Sequence, residues 1–320
     1  MENLIRKLLF PLAIILMVIL AMIFPQWFIQ WGEVSLKQLI LPLLMLIMFG
    51  MGTSMSIQDF VGVLKMPYAV FVGLLCQFTI MPFVGWTIAS LFGFPPEIAA
   101  GIILVGCSPS GLASNVMSYI AKANLALSLT LTACATLLAP LLTPMLMSYL
   151  ASELVPIDTW AMMWSIMKIV ILPIILGLLW NHLVEQKTTL LSPILPIISM
   201  AGIVLIIGII TATGRESLLQ MGLLLIWACF LHNLIGYFMG YNICRLLKLD
   251  RQSCRTIAFE VGMQNSGLAS GIALELGKVA TMGLASVIFG PMMNVTGSLL
   301  ASFWRDKKFE PKEALNSRQY

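Results

Sequence analysis

Charged residues are scarce in this sequence. Lys, Arg, Asp and Glu account for 10% of its 320 residues, whereas a soluble domain carries about 25%. Apolar side chains account for 59%, and the mean hydropathy is +0.97. One soluble core cannot bury so much apolar surface, so the composition predicts a lipid bilayer as the main partner. The net charge of +4 is dispersed over loops, and we expect no nucleic-acid partner and no obligatory protein partner.

Sequence signatures of common catalytic and metal sites are also missing. The chain has no HExxH helix, no GxSxG elbow and no paired aspartates of the kind that bind Mg²⁺-diphosphate. Its six cysteines form no CxxC pair and fall mostly in apolar runs, so we expect small core residues rather than disulfides or metal ligands. No ring of charges or filter repeat indicates a channel. We therefore expect neither an enzyme nor a channel.

Apolar runs instead divide the chain into membrane spans joined by short linkers. The N-terminal run lacks a small-residue cleavage site, so we expect it to be retained as the first span. The tail at 305–320 is charged and is expected to be a disordered cytoplasmic segment. The ten predicted spans are 8–28, 36–55, 67–92, 97–121, 124–150, 158–183, 190–212, 218–246, 253–276 and 279–303.

The basic residues predict how these spans are oriented. With the N-terminus inside, 14 of the 18 Lys and Arg residues fall in inside segments and three fall in outside loops. The remaining one, Lys168, lies within the sixth span. Its charged end either reaches toward the membrane interface, or it pairs inside the bundle or guides an anion. The positive-inside rule then predicts a multi-pass protein of a bacterial-type inner membrane with both termini in the cytoplasm.

A short repeat relates the two halves of the chain. The pentapeptide SGLAS occurs at 110–114 and again at 266–270, an offset of 156 residues that also carries Gln77 onto Asn233. Ten spans divide into a first repeat at 1–156 and a second at 157–304. Because each repeat has an odd number of spans, the second copy must enter the membrane inverted. SGLAS then marks corresponding places in spans 4 and 9.

Both copies of SGLAS lie where a helix is expected to break. Ser108-Pro109-Ser110-Gly111 overlaps the start of the first, and a stretch with Gly262, Gln264 and Asn265 precedes the second. Broken helices at membrane depth are tolerated where they line a cavity, and matched breaks in two repeats indicate the binding site of a transporter. Close packing of small residues is the alternative interpretation.

One acidic residue stands apart from the other thirteen. Glu260 is the only acid that we place deep in a span, and no Lys or Arg is near it in sequence. A buried carboxylate needs a partner, which is a bound cation or a proton. Ser128 and Thr132, four residues apart on one helix face, and Ser114 with Asn115 offer oxygen ligands that suit Na⁺.

Four segments carry a resemblance to a known family. "EVGMQNSGLA" (260–269) and "SNVMSYIAKANLALSLTLT" (114–132), with "LMLIMFGMG" (44–52) and "NVTGSLLASFW" (294–304), resemble the bile acid:sodium symporter family. The resemblance implies an all-α membrane protein of ten helices in two inverted five-helix repeats. Spans 3–5 and 8–10 would form a core domain, spans 1, 2, 6 and 7 a panel domain, and helices 4 and 9 would break and cross.

The same resemblance implies two sodium ions and a substrate site. The first ion would be held by Ser114, Asn115, Ser128, Thr132 and Glu260. The second would be held by Gln77, Glu260, Val261, Met263 and Gln264, with Val261 and Met263 contributing carbonyls. The residues expected at the substrate are Ser110, Gly111, Leu112, Asn265, Met293 and Asn294.

The substrate residues depart from the family pattern. Bacterial relatives often carry Trp-His-Asn where this chain has Met292-Met293-Asn294, and often a Thr where it has Leu112. The expected function is a sodium symporter that imports an organic anion, such as a bile acid-like or pantoate- or pantothenate-like carboxylate, by alternating access. The alternative is proton coupling, or efflux of a small oxyanion or monocarboxylate, for which Cys107 beside the first break is the relevant residue.

Overall fold

The computed structural model describes residues 2–183 and 194–306, which are almost entirely helical. Its fifteen α-helices, in chain order, are α1 (Glu2–Ile23), α2 (Gln26–Ile29), α3 (Ile40–Thr53), α4 (Ile57–Lys65), α5 (Pro67–Phe92), α6 (Pro96–Cys107), α7 (Leu112–Ile120), α8 (Leu125–Ala151), α9 (Thr159–Ile166), α10 (Leu172–Leu183), α11 (Ile194–Thr213), α12 (Arg215–Leu246), α13 (Arg251–Gly262), α14 (Ser266–Glu275) and α15 (Met282–Asp306).

The exception to helix is a small hairpin after α2. Strands β1 (Gln30–Trp31) and β2 (Val34–Ser35) pair antiparallel. Gly32 sits in the turn with φ +59°, a left-handed conformation that glycine adopts without strain. The all-α expectation therefore holds except for these four residues.

The described helices are long and apolar enough for a multi-pass membrane protein. Six segments reach the length and hydropathy of a span, namely Leu36–Thr53, Pro67–Phe92, Leu125–Ala151, Thr159–Leu183, Arg215–Leu246 and Met282–Arg305. Shorter apolar helices run over Leu12–Ile23, Pro96–Cys107 and Ile197–Thr213. The segments expected at 97–121 and 253–276 are absent from the six because each is divided into two short helices.

The two divisions fall at the two copies of SGLAS. In the first, α6 ends at Cys107 and α7 starts at Leu112. In the second, α13 ends at Gly262 and α14 starts at Ser266, with the Asn265 side chain accepting a hydrogen bond from the Leu268 N–H at 3.0 Å. Proline supplies no N–H, and Asn is a preferred N-cap, which explains both boundaries.

Backbone N–H and carbonyl groups at the two breaks hydrogen-bond to each other. The Asn265 N–H donates to the Pro109 carbonyl at 2.8 Å, and the Gly111 N–H donates to the Met263 carbonyl at 3.4 Å. Ser110 and Gln264 thereby form an isolated antiparallel bridge. Away from water a free backbone group is costly, so this pairing stabilises two breaks inside the helical bundle. We call residues 109–111 and 263–265 the paired breaks.

A third irregularity was not expected. The predicted span at 158–183 is interrupted by a π-helical turn at Met167–Ile171, which contains Lys168. Pro173 lies two residues after this turn. It has no N–H to donate to the carbonyl four residues before it, and its ring crowds that carbonyl. A wider turn relieves the crowding, so the interruption has a local cause.

The helices contact each other in two groups. One contains α1, α3, α10 and α11, and the other contains α5, α6, α7, α8, α12, α13 and α15. Helix α14 contacts both groups, through α3 on one side and α6 and α15 on the other, and it also contacts α9. The paired breaks belong to the second group, and the face of α14 turned toward the first group lies beside them.

Candidate sodium and substrate sites

The carboxylate of Glu260 is surrounded by hydroxyl groups. The residue is 2% exposed, near the end of α13. Its Oε1 accepts hydrogen bonds from Ser114 and Ser128, both at 2.6 Å. Its Oε2 accepts from Ser110 at 2.6 Å and from Thr132 at 3.0 Å. The first break and helices α7, α8 and α13 therefore meet at one carboxylate.

The hydroxyl groups around Glu260 approach more acceptor atoms than they have hydrogens to donate. The Asn115 Oδ1 accepts from Ser128 at 2.8 Å and from Thr132 at 3.2 Å, and the Ser114 hydroxyl also reaches the Gly111 carbonyl at 2.8 Å. Each hydroxyl carries one hydrogen, yet the hydroxyls of Ser114, Ser128 and Thr132 each approach two acceptors. At least three of these oxygen–oxygen contacts therefore have no hydrogen between the two atoms. This donor set fits a hard cation with oxygen ligands, such as Na⁺.

Nothing in the described chain neutralises Glu260 by an ion pair. The described Lys and Arg residues form no salt bridge with it. The described residues also contain no group of three His, Cys, Asp or Glu side chains placed to hold a metal ion. A transition-metal site is therefore not indicated there, whereas a cation bound by one carboxylate and several neutral oxygens fits.

Gln77 lies in a second polar group next to the paired breaks. Its Nε2 donates to the Ser108 carbonyl at 2.9 Å and to the Gln264 Oε1 at 2.8 Å, and the Gln264 Nε2 donates to the Val261 carbonyl at 2.5 Å. These acceptors fix both amide orientations. The Gln77 Oε1 is then buried without a hydrogen-bond partner among the described residues. A buried acceptor left unpaired is unfavourable, so this oxygen is available to a cation.

A cavity of about 770 Å³ lies beside the paired breaks, between the two helix groups. Five of the six residues predicted at the substrate line it: Gly111, Leu112, Asn265, Met293 and Asn294. Its wall is mostly apolar, and no lining residue is charged. An anionic substrate would therefore find apolar surface for its body and no lysine or arginine for its charge.

Two helix N-termini lie at the cavity wall, which, among the described residues, has no cationic side chain. Helices α7 and α14 begin at Leu112 and Ser266, and both residues line the cavity. The first N–H groups of a helix have no partner within the helix and favour anions. Asn265, 7% exposed, uses its Oδ1 as the cap, and its amide nitrogen has no hydrogen-bond partner in the described chain. In α14 the Ser266 N–H already donates to the Gln264 carbonyl and the Leu268 N–H to the Asn265 cap. The groups available to a carboxylate are therefore the Gly267 N–H, the first N–H groups of α7 and the Asn265 amide.

Comparison with known proteins identifies the family. A model described as "Sodium Bile acid symporter family" matches residues 41–221. The "Uncharacterized sodium-dependent transporter YocS" of Bacillus subtilis is 40% identical over 306 residues, which is 95% of this chain and 93% of that protein. The chain belongs to the sodium bile acid symporter family.

Two further relatives extend the family beyond bacteria. The chloroplastic "Probable sodium/metabolite cotransporter BASS1" of Arabidopsis thaliana is 33% identical over 258 residues, or 81% of this chain and 64% of that protein. The "Ileal sodium/bile acid cotransporter" of Oryctolagus cuniculus is 33% identical over 249 residues, or 75% and 70%. The relatives are transporters, and their names imply sodium use. This symporter-family chain is therefore a multi-pass helical membrane protein of a sodium-dependent transporter family.

One residue that was expected at the substrate lies elsewhere in this symporter-family chain, and Lys168, His232 and Cys107 are also outside the cavity wall. Ser110, expected at the substrate, is 1% exposed, bonds to Glu260 and is not among the residues that line the cavity. Lys168 is exposed on its π turn and does not line the cavity either. His232, in the interior of α12, hydrogen-bonds the Met81 carbonyl through Nε2 at 2.9 Å, which is a structural role. Cys107 is fully buried at the end of α6, outside the cavity wall.

Three serines of the cavity wall were overlooked. Ser266, Ser270 and Ser286 line the cavity. The signal for the first two was present, since Ser266 and Ser270 stand four residues apart within SGLAS and share a helix face. The third comes from α15, and only the fold brings it to them.

Proposed function

We propose that this protein is a sodium-coupled secondary transporter that imports an organic carboxylate by alternating access. The observation that carries the proposal is the buried Glu260 carboxylate, which has four hydroxyl contacts and no cationic side chain. Glu260 lies three residues before Met263, whose carbonyl accepts a hydrogen bond from the Gly111 N–H at the start of α7. A bound cation would therefore act directly on the cavity wall.

Two sodium ions fit the oxygen atoms around the breaks. The first would take ligands from the cluster around Glu260, namely Ser114, Asn115, Ser128, Thr132 and Glu260. The second would take the unpaired Gln77 Oε1, the Glu260 carboxylate, the Gln264 amide and the carbonyls of Val261 and Met263. When bound, sodium supplies positive charge to a carboxylate that otherwise has only neutral partners.

The paired breaks would transmit sodium binding to the substrate. Gly111 and Met263 are hydrogen-bonded. Gly111 lies between Ser110, which donates to Glu260, and Leu112 of the cavity wall, and Met263 precedes Gln264, a proposed sodium ligand that also lines the cavity. Sodium that fixes Glu260 and Gln264 also fixes the directions in which α7 and α14 begin. Their N-terminal N–H groups, with the Asn265 amide, would then hold the carboxylate.

Alternating access would come from movement between the two helix groups. We propose that α1, α3, α9, α10 and α11 act as a panel and the remaining long helices as a core, in ten spans that form inverted repeats at 1–156 and 157–304. Both termini would face the cytoplasm of a bacterial-type inner membrane. The predicted tail at 305–320 lies outside the described residues beyond Asp306. The apolar contacts between the two groups at the cavity are compatible with sliding.

The Glu260→Gln variant tests this function. In proteoliposomes with an inward sodium gradient, we expect uptake of a carboxylate to fall about a hundredfold or more, because the amide keeps the shape and loses the charge. Glu216→Gln is the matched control, since Glu216 is exposed in the first turn of α12. Unchanged sodium-driven uptake by Glu260→Gln would refute the proposal. Uptake that follows a pH gradient without sodium would support the proton-coupled alternative instead.

A further inference from the structure

Three serines form a small hydroxyl cluster in the cavity wall. Ser270 and Ser286 are 4% and 2% exposed, and their Oγ atoms are 2.7 Å apart. The Ser286 hydroxyl also reaches the Gly283 carbonyl at 2.7 Å. A carbonyl only accepts, so the single hydrogen of Ser286 goes to Gly283 and Ser270 donates to Ser286. Both serines keep lone pairs that no described donor uses.

Ser266 adds an unused donor to this cluster. Its Oγ is buried and has no hydrogen-bond partner among the described residues. On α15, Gly290 faces it closely, because a Cβ at position 290 would lie 3.2 Å from the Ser266 Oγ. Glycine at 290 therefore lets α15 pack closely against this hydroxyl. The cluster as a whole offers one free hydrogen and several free lone pairs.

The internal repeat shows how this cluster differs from the one at Glu260. The 156-residue offset relates Ser266 and Ser270 to Ser110 and Ser114, which both donate to Glu260. The same offset relates Glu260 to Leu104. Ser266 and Ser270 thus keep the hydroxyls of their counterparts, whereas the position that corresponds to Glu260 holds a leucine and offers no carboxylate. A cation would find no opposite charge there, whereas a neutral group that both donates and accepts hydrogen bonds would match.

We propose that Ser266, Ser270 and Ser286 form a neutral subsite that binds an alcohol group of the transported carboxylate. This proposal rests on the proposed function, in which the carboxylate lies at the N-termini of α7 and α14. Ser270 is four residues along α14 from Ser266, which is about 6 Å at the helical rise. The substrate class is therefore a hydroxy acid with its alcohol about 6 Å from its carboxylate.

A matched series of acids tests the subsite. Binding of pentanoate, 2-hydroxypentanoate and 5-hydroxypentanoate is measured by titration calorimetry on the purified protein in saturating sodium. The same measurement is made with 5β-cholanate and cholate as larger probes. We expect 5-hydroxypentanoate, whose alcohol can reach about 6 Å from its carboxylate, to bind about five- to tenfold more tightly than pentanoate, which is the effect of one net hydrogen bond. The alcohol of 2-hydroxypentanoate is too close to its carboxylate and should give little gain. Equal affinity for 5-hydroxypentanoate and pentanoate, with no preference for cholate over 5β-cholanate, would overturn the proposal.

Variants assign the preference to these serines. Ser270→Ala and Ser286→Ala are expected to reduce the ratio of affinities to about one, because the hydroxylated acid loses its hydrogen bond and the parent acid has none to lose. Gly290→Ala places a methyl group beside Ser266 and should weaken the hydroxylated acid more than its parent. Ser90→Ala is the control, because Ser90 is exposed and bonds only to the Trp86 carbonyl of its own helix. A preference that survives in both serine variants would refute the assignment.

The subsite and the transport function fail in different ways. Equal affinity for hydroxylated and parent acids, with sodium-dependent uptake intact, would reject the subsite and leave the transporter proposal standing. Sodium-driven uptake that persists in Glu260→Gln would reject the sodium mechanism whatever the serine variants show.

Discussion

The Thr132 hydroxyl offers the sharpest test of the first proposed sodium site. Its Oγ1 lies 3.0 Å from the Glu260 Oε2, 3.2 Å from the Asn115 Oδ1 and 3.5 Å from the Ser114 Oγ. Thr132 is 1% exposed, so water does not replace the group when it is removed. Thr132→Val keeps the branched shape and replaces the hydroxyl with a methyl. The change therefore removes one oxygen from the cluster with little change in volume.

The size of the effect follows from the charge of the acceptor. A hydrogen bond to a charged group contributes about 1.5–3 kcal/mol. The same oxygen would be a ligand of the first sodium ion, and its loss is felt fully because the site is buried. With about 1.4 kcal/mol for each tenfold change in a binding constant, sodium affinity should fall by about 10- to 100-fold. Thr132→Ser keeps the oxygen and should stay close to wild type.

The assay measures initial uptake into proteoliposomes as a function of external sodium at fixed substrate. The half-saturating sodium concentration is expected to rise in Thr132→Val, while the maximal rate at high sodium is largely retained. Circular dichroism and size-exclusion profiles establish that both variants are folded. A half-saturating concentration unchanged in folded Thr132→Val would show that this oxygen is not a ligand, and the proposed first site would be wrong.

Two further predictions concern residues at different distances from the cluster. Gln77→Met removes the unpaired Oε1 and should lower the Hill coefficient of sodium activation from about two to about one, as one of two coupled ions is lost; a coefficient that stays near two would place the second ion elsewhere. Lys168→Met should leave uptake within about twofold of wild type, because the side chain is exposed and outside the cavity wall; a larger loss would show that Lys168 guides the anion.

The sequence predicts the places of the helix breaks better than the contacts across them. Pro109 and Gly111 mark the first break, and Asn265 caps the helix after the second, so local chemistry is sufficient there. The isolation of Glu260 also follows from sequence, since it is an acid deep in a predicted span and the nearest basic residue, Arg255, is more than one helical turn away. These features depend on a few neighbouring residues and on membrane depth.

The roles of Ser110 and the cavity serines depend on long-range register. Ser110 faces Glu260 because residue 110 pairs with residue 264 across the breaks, and no periodicity within either segment gives that pairing. Ser286 joins Ser270 through the packing of α15 on α14, which brings together residues 16 positions apart. The π turn around Lys168 is different, because its cause is the nearby Pro173, but the proline lies within an apolar run that the sequence analysis treated as one continuous helix.

Charge balance explains why the cavity has no basic residue under the proposed mechanism. Without sodium, Glu260 would place one negative charge beside the two helix N-termini and oppose a carboxylate substrate. Two sodium ions reverse that sign, and the substrate carboxylate then returns the loaded site to neutrality. A lysine or arginine in the cavity wall would attract the anion in the absence of sodium and allow movement of the substrate without the ions. Helix N-termini carry only partial positive charge, so under the proposed mechanism they would hold the carboxylate when sodium has neutralised Glu260 and would release it when sodium leaves.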